Sequence, residues 1–176
     1  MSTLHHVLRA KKVRSKVEAK ARKLAGINPG DEYWWWKTRR KSKGSISGVK
    51  HYSKVKPRES QLTTSTYKRA YWLIIEKLYD LVGDVEYLER ELVTVSLKCR
   101  VDEFDDLITE QYEGLESIPD SLSSSPTAEK MRVRILACRD VRDLINIAIS
   151  DIGSLSSSKS ISDILSSLIA AIPSPE

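Results

Sequence analysis

A chain of 176 residues, 40% hydrophobic and 30% charged, has the size of one domain with an appendage. One Phe and seven Gly argue against a large β-structure, which needs aromatics in its strands and glycines in its turns, and the apolar runs are too short for a membrane-spanning helix. The formal charge of +5 hides a split: residues 1–60 hold 17 Lys/Arg against 4 Asp/Glu, and residues 61–176 hold 12 against 20. The first part is thus +13 and the second −8. Such a chain either binds polyanions with its basic part or folds that part against the acidic one. Cys99 and Cys138 are too few for a disulfide framework. The basic N-terminus lacks the apolar stretch of a secretory signal. Both point to a soluble protein of a reducing, intracellular compartment.

From Ser2 to Ala25 good helix formers dominate. Val7, Ala10, Val13, Val17, Ala21 and Leu24 fall on one side at helical spacing, Ser2 or Thr3 can cap, and Gly26 ends the segment. The like charges opposite make this helix marginal alone, so it is ordered by docking or by an anion, unless it is simply a solvated basic face.

Asn28-Pro29-Gly30-Asp31 is a turn. Glu32–Lys37 and Val49–Lys54 read as short strands, joined by a loop TRRKSKGSISG into an irregular β-hairpin. Alternation puts Tyr33 and Trp35 on one face and Trp34 and Trp36 on the other. Aromatics among cations suit single-stranded nucleic acid, with bases stacking on rings and Lys/Arg neutralising phosphates. In that reading Lys37, Arg39, Arg40, Lys41, Lys43, Lys50, Lys54, Lys56 and Arg58 meet phosphates, and Trp34, Trp36 and Tyr52 stack. The competing reading makes the tryptophans core anchors and the cations a solvated edge.

Pro57 forces an extended Lys56, and Thr63, Thr64 or Ser65 can cap a helix carrying Tyr67, Tyr71, Ile74, Leu78 and Leu81/Val82 on one face. The next helix, Val85 to Ser117, presents Val85, Leu88, Leu92, Val95 and Cys99, then shifts to Phe104, Ile108, Tyr112 and Leu115. After Pro119 and the loop SLSSSP, with Thr127 as cap, a return helix from Ala128 to Ile152 carries Met131, Ile135, Cys138, Val141 or Arg142, Ile145, Ile149 and Ile152. So short a loop makes the two helices antiparallel. Both cysteines lie on the seams and read as buried thiols. A flexible GSLSSSKS linker precedes a tail helix, Ile161–Ile172, whose Ile/Leu stripe docks on the hairpin, on a second copy or on a partner.

No glycine-rich phosphate loop, GxSxG or HExxH motif is present, so no catalytic residue, metal or cofactor is nominated. His5 and His6 read as a solvated pair. The carboxylates Asp102, Glu103, Asp105, Asp106, Glu110 and Glu113 spread around a helix and read as a solvated face.

The segments GDEYWWWK (Gly30–Lys37) and HYSKVKPRESQLT (His51–Thr63), followed by helices joined through LESIPDSL, resemble a group of uncharacterised tailed-bacteriophage proteins over about residues 27–152. In that group an aromatic strand precedes a helical hairpin, often after paired cysteines that look like a zinc knuckle; this chain has no cysteine before Cys99. The resemblance implies a phage origin, in the cytoplasm of an infected bacterium or in the virion, and no particular activity.

The expected fold is mainly α: a basic N-terminal helix, a small irregular β-hairpin, an antiparallel helical hairpin or bundle, and a short C-terminal helix. The expected segments are a head (1–62), a bundle (63–152) and a linker with tail (153–176). The expected function is non-enzymatic nucleic-acid binding without cofactor or membrane. The alternative is an interaction module for a virion, host or defence protein, with homo-oligomerisation as a further option.

Overall fold

The computed structural model describes residues 4–11, 15–42, 45–155 and 160–174. The fold is mainly α, as expected, with a small three-stranded antiparallel sheet. In order come β1 (Leu4–Val7), α1 (Lys16–Leu24), β2 (Tyr33–Ser42), β3 (Ser45–Ser53), α2 (Glu59–Leu62), α3 (Thr66–Asp84), a 3-10 turn (Val85–Tyr87), α4 (Arg90–Glu116), a second 3-10 turn (Asp120–Leu122), α5 (Pro126–Gly153) and α6 (Ile161–Ala171). These form two compact units, Met1–Arg69 and Ala70–Glu176.

The sheet has the order β1-β2-β3. The N-terminal segment is therefore a correction to the single helix expected over residues 2–25. Leu4–Val7 pairs with β2 at Trp36, Trp35, Trp34 and Tyr33, and helix runs only from Lys16 to Leu24. The reason is local. Beside three tryptophans, a histidine pair gains more from cross-strand stacking than from a marginal, like-charged helix. Between strand and helix, Ala10 is buried, its N–H donating to Asp31 O at 2.8 Å and its carbonyl accepting from Gly30 N–H at 2.9 Å. Ser15 caps α1 by accepting from Glu18 N–H; the proposed caps Ser2 and Thr3 lie outside the described residues, as does Val13. At the other end Gly26, at φ 69°, closes the helix. Ile27 N–H reaches Arg22 O and Gly26 N–H reaches Lys23 O, the two bonds of a Schellman motif. Val17 and Leu24, placed on the inward stripe by periodicity, are 81% and 82% exposed.

The hairpin is longer than its sequence suggested. The ladder runs from Trp34↔Ser53 to Ser42↔Ser45, so most of the expected loop is strand. Only Lys43 and Gly44 remain between the last pair, the spacing of a two-residue hairpin connection; both lie outside the described residues.

The second unit is built on α4 and α5, which run antiparallel. Gln111 meets Arg134, Asp105 meets Arg142, and Arg90 donates to the carbonyls of Ile152 and Gly153. Val93, Leu97, Phe104, Leu107 and Ile108 of α4 are buried, with Ile135, Cys138, Val141, Ile145, Ala148 and Ile152 of α5. From α3 come Tyr71, Ile74, Ile75, Leu78 and Leu81; the Tyr71 and Phe104 rings meet edge-on at 5.6 Å. Burial pushes the Tyr71 hydroxyl well above its ordinary pKa, with Cys138 and Asp140 adding to the shift, and it donates to Pro173 O at 2.7 Å. The tail helix α6, opened by a Ser160–Asp163 capping box, buries Ile164, Leu165 and Leu168. Its stripe docks on its own bundle.

Three expectations for this unit need correcting. The helix expected from Val85 begins at Arg90, after a separate 3-10 turn over Val85–Tyr87. The first half of the α4 seam is Val93 and Leu97, not Leu92, Val95 and Cys99. Leu92 and Val95 are 53% and 56% exposed, and Cys99 is exposed as well. Two apolar stripes about 100° apart compete on this stretch, and periodicity alone does not choose between them. The start of α5 is also earlier than Thr127 implied: Ser125 caps it by accepting from Ala128 N–H, and Pro126 occupies the first turn.

Candidate nucleic-acid interface

In an antiparallel ladder, directly opposed residues share a face. The register pairs Trp35 with Tyr52 and Lys37 with Lys50, while β1 sets His5 opposite Trp35 and Val7 opposite Tyr33. One face of the sheet therefore carries Val7, His5, Tyr33, Trp35, Lys37, Lys50 and Tyr52. The other carries Leu4, His6, Trp34, Trp36, Thr38, Val49, His51 and Ser53.

On the first face α1 covers the end near Tyr33. The Arg22 guanidinium lies 4.7 Å from the Tyr33 ring centre and 5.7 Å from that of Tyr52. It donates to Glu18 Oε1 at 2.8 Å and to Lys11 O at 3.2 Å. Ala10, Ile27 and Tyr33 form a small core here, with Val7, Ala25, Trp35 and Tyr52 against it. Burial raises the Glu18 carboxyl, but hydrogen bonds from Arg22 and Tyr52 outweigh it and leave the pKa below the ordinary value. The Tyr52 hydroxyl is pushed up to about 12 by burial and by its bond to Glu18. Beyond this lock the face opens. His5 stacks on Trp35 with ring centres 3.9 Å apart and planes within 9°. Lys50 Nζ lies 4.7 Å from the same indole centre, and Lys37 is exposed opposite Lys50.

The second face is drier at its centre. Trp36 is 6% exposed, stacks on His51 at 5.3 Å, and donates its indole N–H to Gln61 O at 3.2 Å. His51 Nε2 and Thr38 Oγ1 are 2.8 Å apart. Trp34 is half-buried under His6, ring centres 4.1 Å apart. The His6 imidazole in turn meets Glu32. The adjacent histidines thus stack on indoles on opposite faces of the sheet, and His6 alone is exposed; the solvated pair read from the sequence is corrected. The signal that could have located them is the match of an HH pair to a WW pair in an antiparallel ladder.

The predicted site residues separate accordingly. Lys37 and Lys50 are brought together beside Trp35, which sequence reasoning did not nominate. Trp36 is an anchor, not a free stacking surface, and Tyr52 is engaged by Glu18 and Arg22. Lys54 is tied to Asp31 at 2.9 Å. That pair, after the Asn28 N–H, holds the Asp31 carboxyl below its ordinary pKa. Lys56 and Arg58 are exposed in the segment leading into α2, where Arg58 N–H donates to Gln61 Oε1. Arg39, Arg40 and Lys41 continue β2, but their side chains lie outside the described residues, as does Lys43 entirely.

Among the described residues no group of three His, Cys, Asp or Glu is placed to hold a metal ion, and no helix is long and apolar enough to cross a membrane. No known protein family, curated protein or solved structure matches the chain.

Proposed function

We propose that this chain is a non-enzymatic nucleic-acid-binding protein, and that the open β2–β3 face of its basic unit makes the contact. The observation that carries the reading is the direct opposition of Lys37 and Lys50 beside Trp35. Like charges facing across a ladder destabilise a sheet, and a polyanion relieves that cost while releasing its counterions. The +13 charge of residues 1–60 supplies the longer-range attraction. The segments that resemble tailed-phage proteins are those that form the first half of β2, the end of β3 and α2, and we propose a phage setting, in the infected cytoplasm or the virion.

Filter binding of the full chain to DNA and RNA oligomers at low salt tests the proposal. Retention should fall steeply with salt, and Lys37→Ala with Lys50→Ala should flatten the slope by roughly 0.7–0.9 per lysine. Arg39, Arg40 and Lys41 changed together to Ala should weaken binding to all sequences alike. No retention of any oligomer at low salt sinks the proposal. A second reading, a docking module for a virion, host or defence protein, is favoured by exposed Tyr87, Leu92 and Val95 at the start of the bundle. It loses the tail as an anchor, because Ile164, Leu165 and Leu168 are already buried.

A further inference from the structure

Whether bases or phosphates are recognised depends on what already touches the indoles. Each of the three hairpin tryptophans is stacked against a histidine of this same chain: Trp35 on His5, Trp34 on His6, and Trp36 on His51. On the open face, Trp35 is flanked from the neighbouring strands by the His5 ring and by the Lys50 ammonium. A base entering there must expel one of them. Expelling His5 strips a stack from a β1 that is only four residues long.

The lysines are arranged differently. The Lys37 stem runs towards Gly48, where a Cβ would stand 3.7 Å from Lys37 Cδ. Lys50 leans the other way, over Trp35. The Lys37 stem thus lies against the Gly48 row, and the Lys50 head lies over the Trp35 row. Those rows are four residues apart, roughly 13 Å at the usual strand rise. The stems start from one row between them and diverge, an arrangement that suits separate phosphates of one extended backbone. Lys37 and Lys50 are both exposed.

We infer that the β2–β3 face recognises a nucleic acid through its phosphodiester backbone alone, with Trp35 acting as a rail that orients Lys50 and no base stacking on Trp34, Trp35 or Trp36. This rests on the nucleic-acid reading above. It specifies the ligand chemistry: sugar-phosphate in any sequence, with the bases turned away.

Fluorescence anisotropy on the full chain at low salt, with labelled oligothymidylate and an abasic oligomer of equal length and phosphate number, separates the outcomes. Each stacked base contributes about 5-fold or more to affinity. The expected result is that the two oligomers bind within about 5-fold of one another, with the same salt slope, and that Lys50→Gln weakens both equally. If the abasic oligomer binds more weakly than that, or Lys50→Gln affects only the base-bearing one, the inference is overturned while nucleic-acid binding stands. If neither oligomer binds, both fail together.

Discussion

The basic unit and the helical unit are held together by different forces. In residues 1–69 few side chains are buried, and order comes from the small Ala10–Ile27–Tyr33 core, ring stacks, the Arg22–Glu18 lock and the Lys54–Asp31 pair. In residues 70–176 a column of aliphatic side chains with Tyr71 and Phe104 does the work. Charge and polarity hold the first, and hydrophobic packing holds the second. A segment that meets polyanions keeps its cations at the surface and has little apolar area to bury, so it relies on geometry-specific contacts. The lesson is that acidity and ion-pair loss should act on the first unit, and cavities on the second.

The largest effect should come from Phe104→Ala. Deleting a fully buried ring costs about 3–5 kcal/mol, seen as a lower urea midpoint for far-UV circular dichroism, while amide resonances of β1–β3 stay in place. Next is Arg22→Ala, which takes the guanidinium from Glu18, leaving it the Tyr52 bond, and uncovers Tyr33 and Tyr52. A lost hydrogen-bonded charge costs roughly 2 kcal/mol, and here the β1–β3 resonances should shift while α4 and α5 keep theirs. Acid should act on the same unit. The Glu18 carboxyl has its folded pKa lowered from 4.5, so its contribution is present above that value and is lost as pH falls through the folded pKa. A titration in which the bundle resonances melt before those of the sheet would contradict the comparison. Smaller still is the thiol contrast within the bundle: Cys99 should react with a disulfide reagent in the native protein, and buried Cys138 only on unfolding. Val17→Ser and Leu24→Ser should change stability by less than about 0.5 kcal/mol.

Much of the bundle was legible because its periodic positions are unambiguous. Tyr71, Ile74 and Leu78 on α3, and Ile135, Cys138, Val141 and Ile145 on α5, recur at spacings of three and four and are all buried, while Ile75, also buried, was not on the expected stripe. On α4 the reading slipped where Leu92–Val95–Cys99 and Val93–Leu97 offered equally good stripes, and only three-dimensional packing chose. For the head, strand alternation placed Tyr33 and Trp35 opposite Trp34 and Trp36 in advance. Lys37 and Lys50 were both nominated, but their opposition beside Trp35 was missed because it requires the hairpin register, and the sequence reading had made the connection between the strands eleven residues long. Likewise β1 was hidden, since Leu4–Val7 has no strand signal of its own and forms one only where tryptophans wait for it.

The Arg90 guanidinium, resting on the carbonyls that end α5, has a consequence for motion. Helix termini ordinarily fray, leaving their last amides free to exchange with water ahead of the rest. Here the open mouth of the α4–α5 pair is fastened by a cation favoured by the α5 dipole, while the short connection through Pro119 secures the far end. The pair is therefore latched at both extremities. Its final amides should exchange with deuterium at nearly the pace of its middle, and Arg90→Met should restore the faster exchange of an unpinned end.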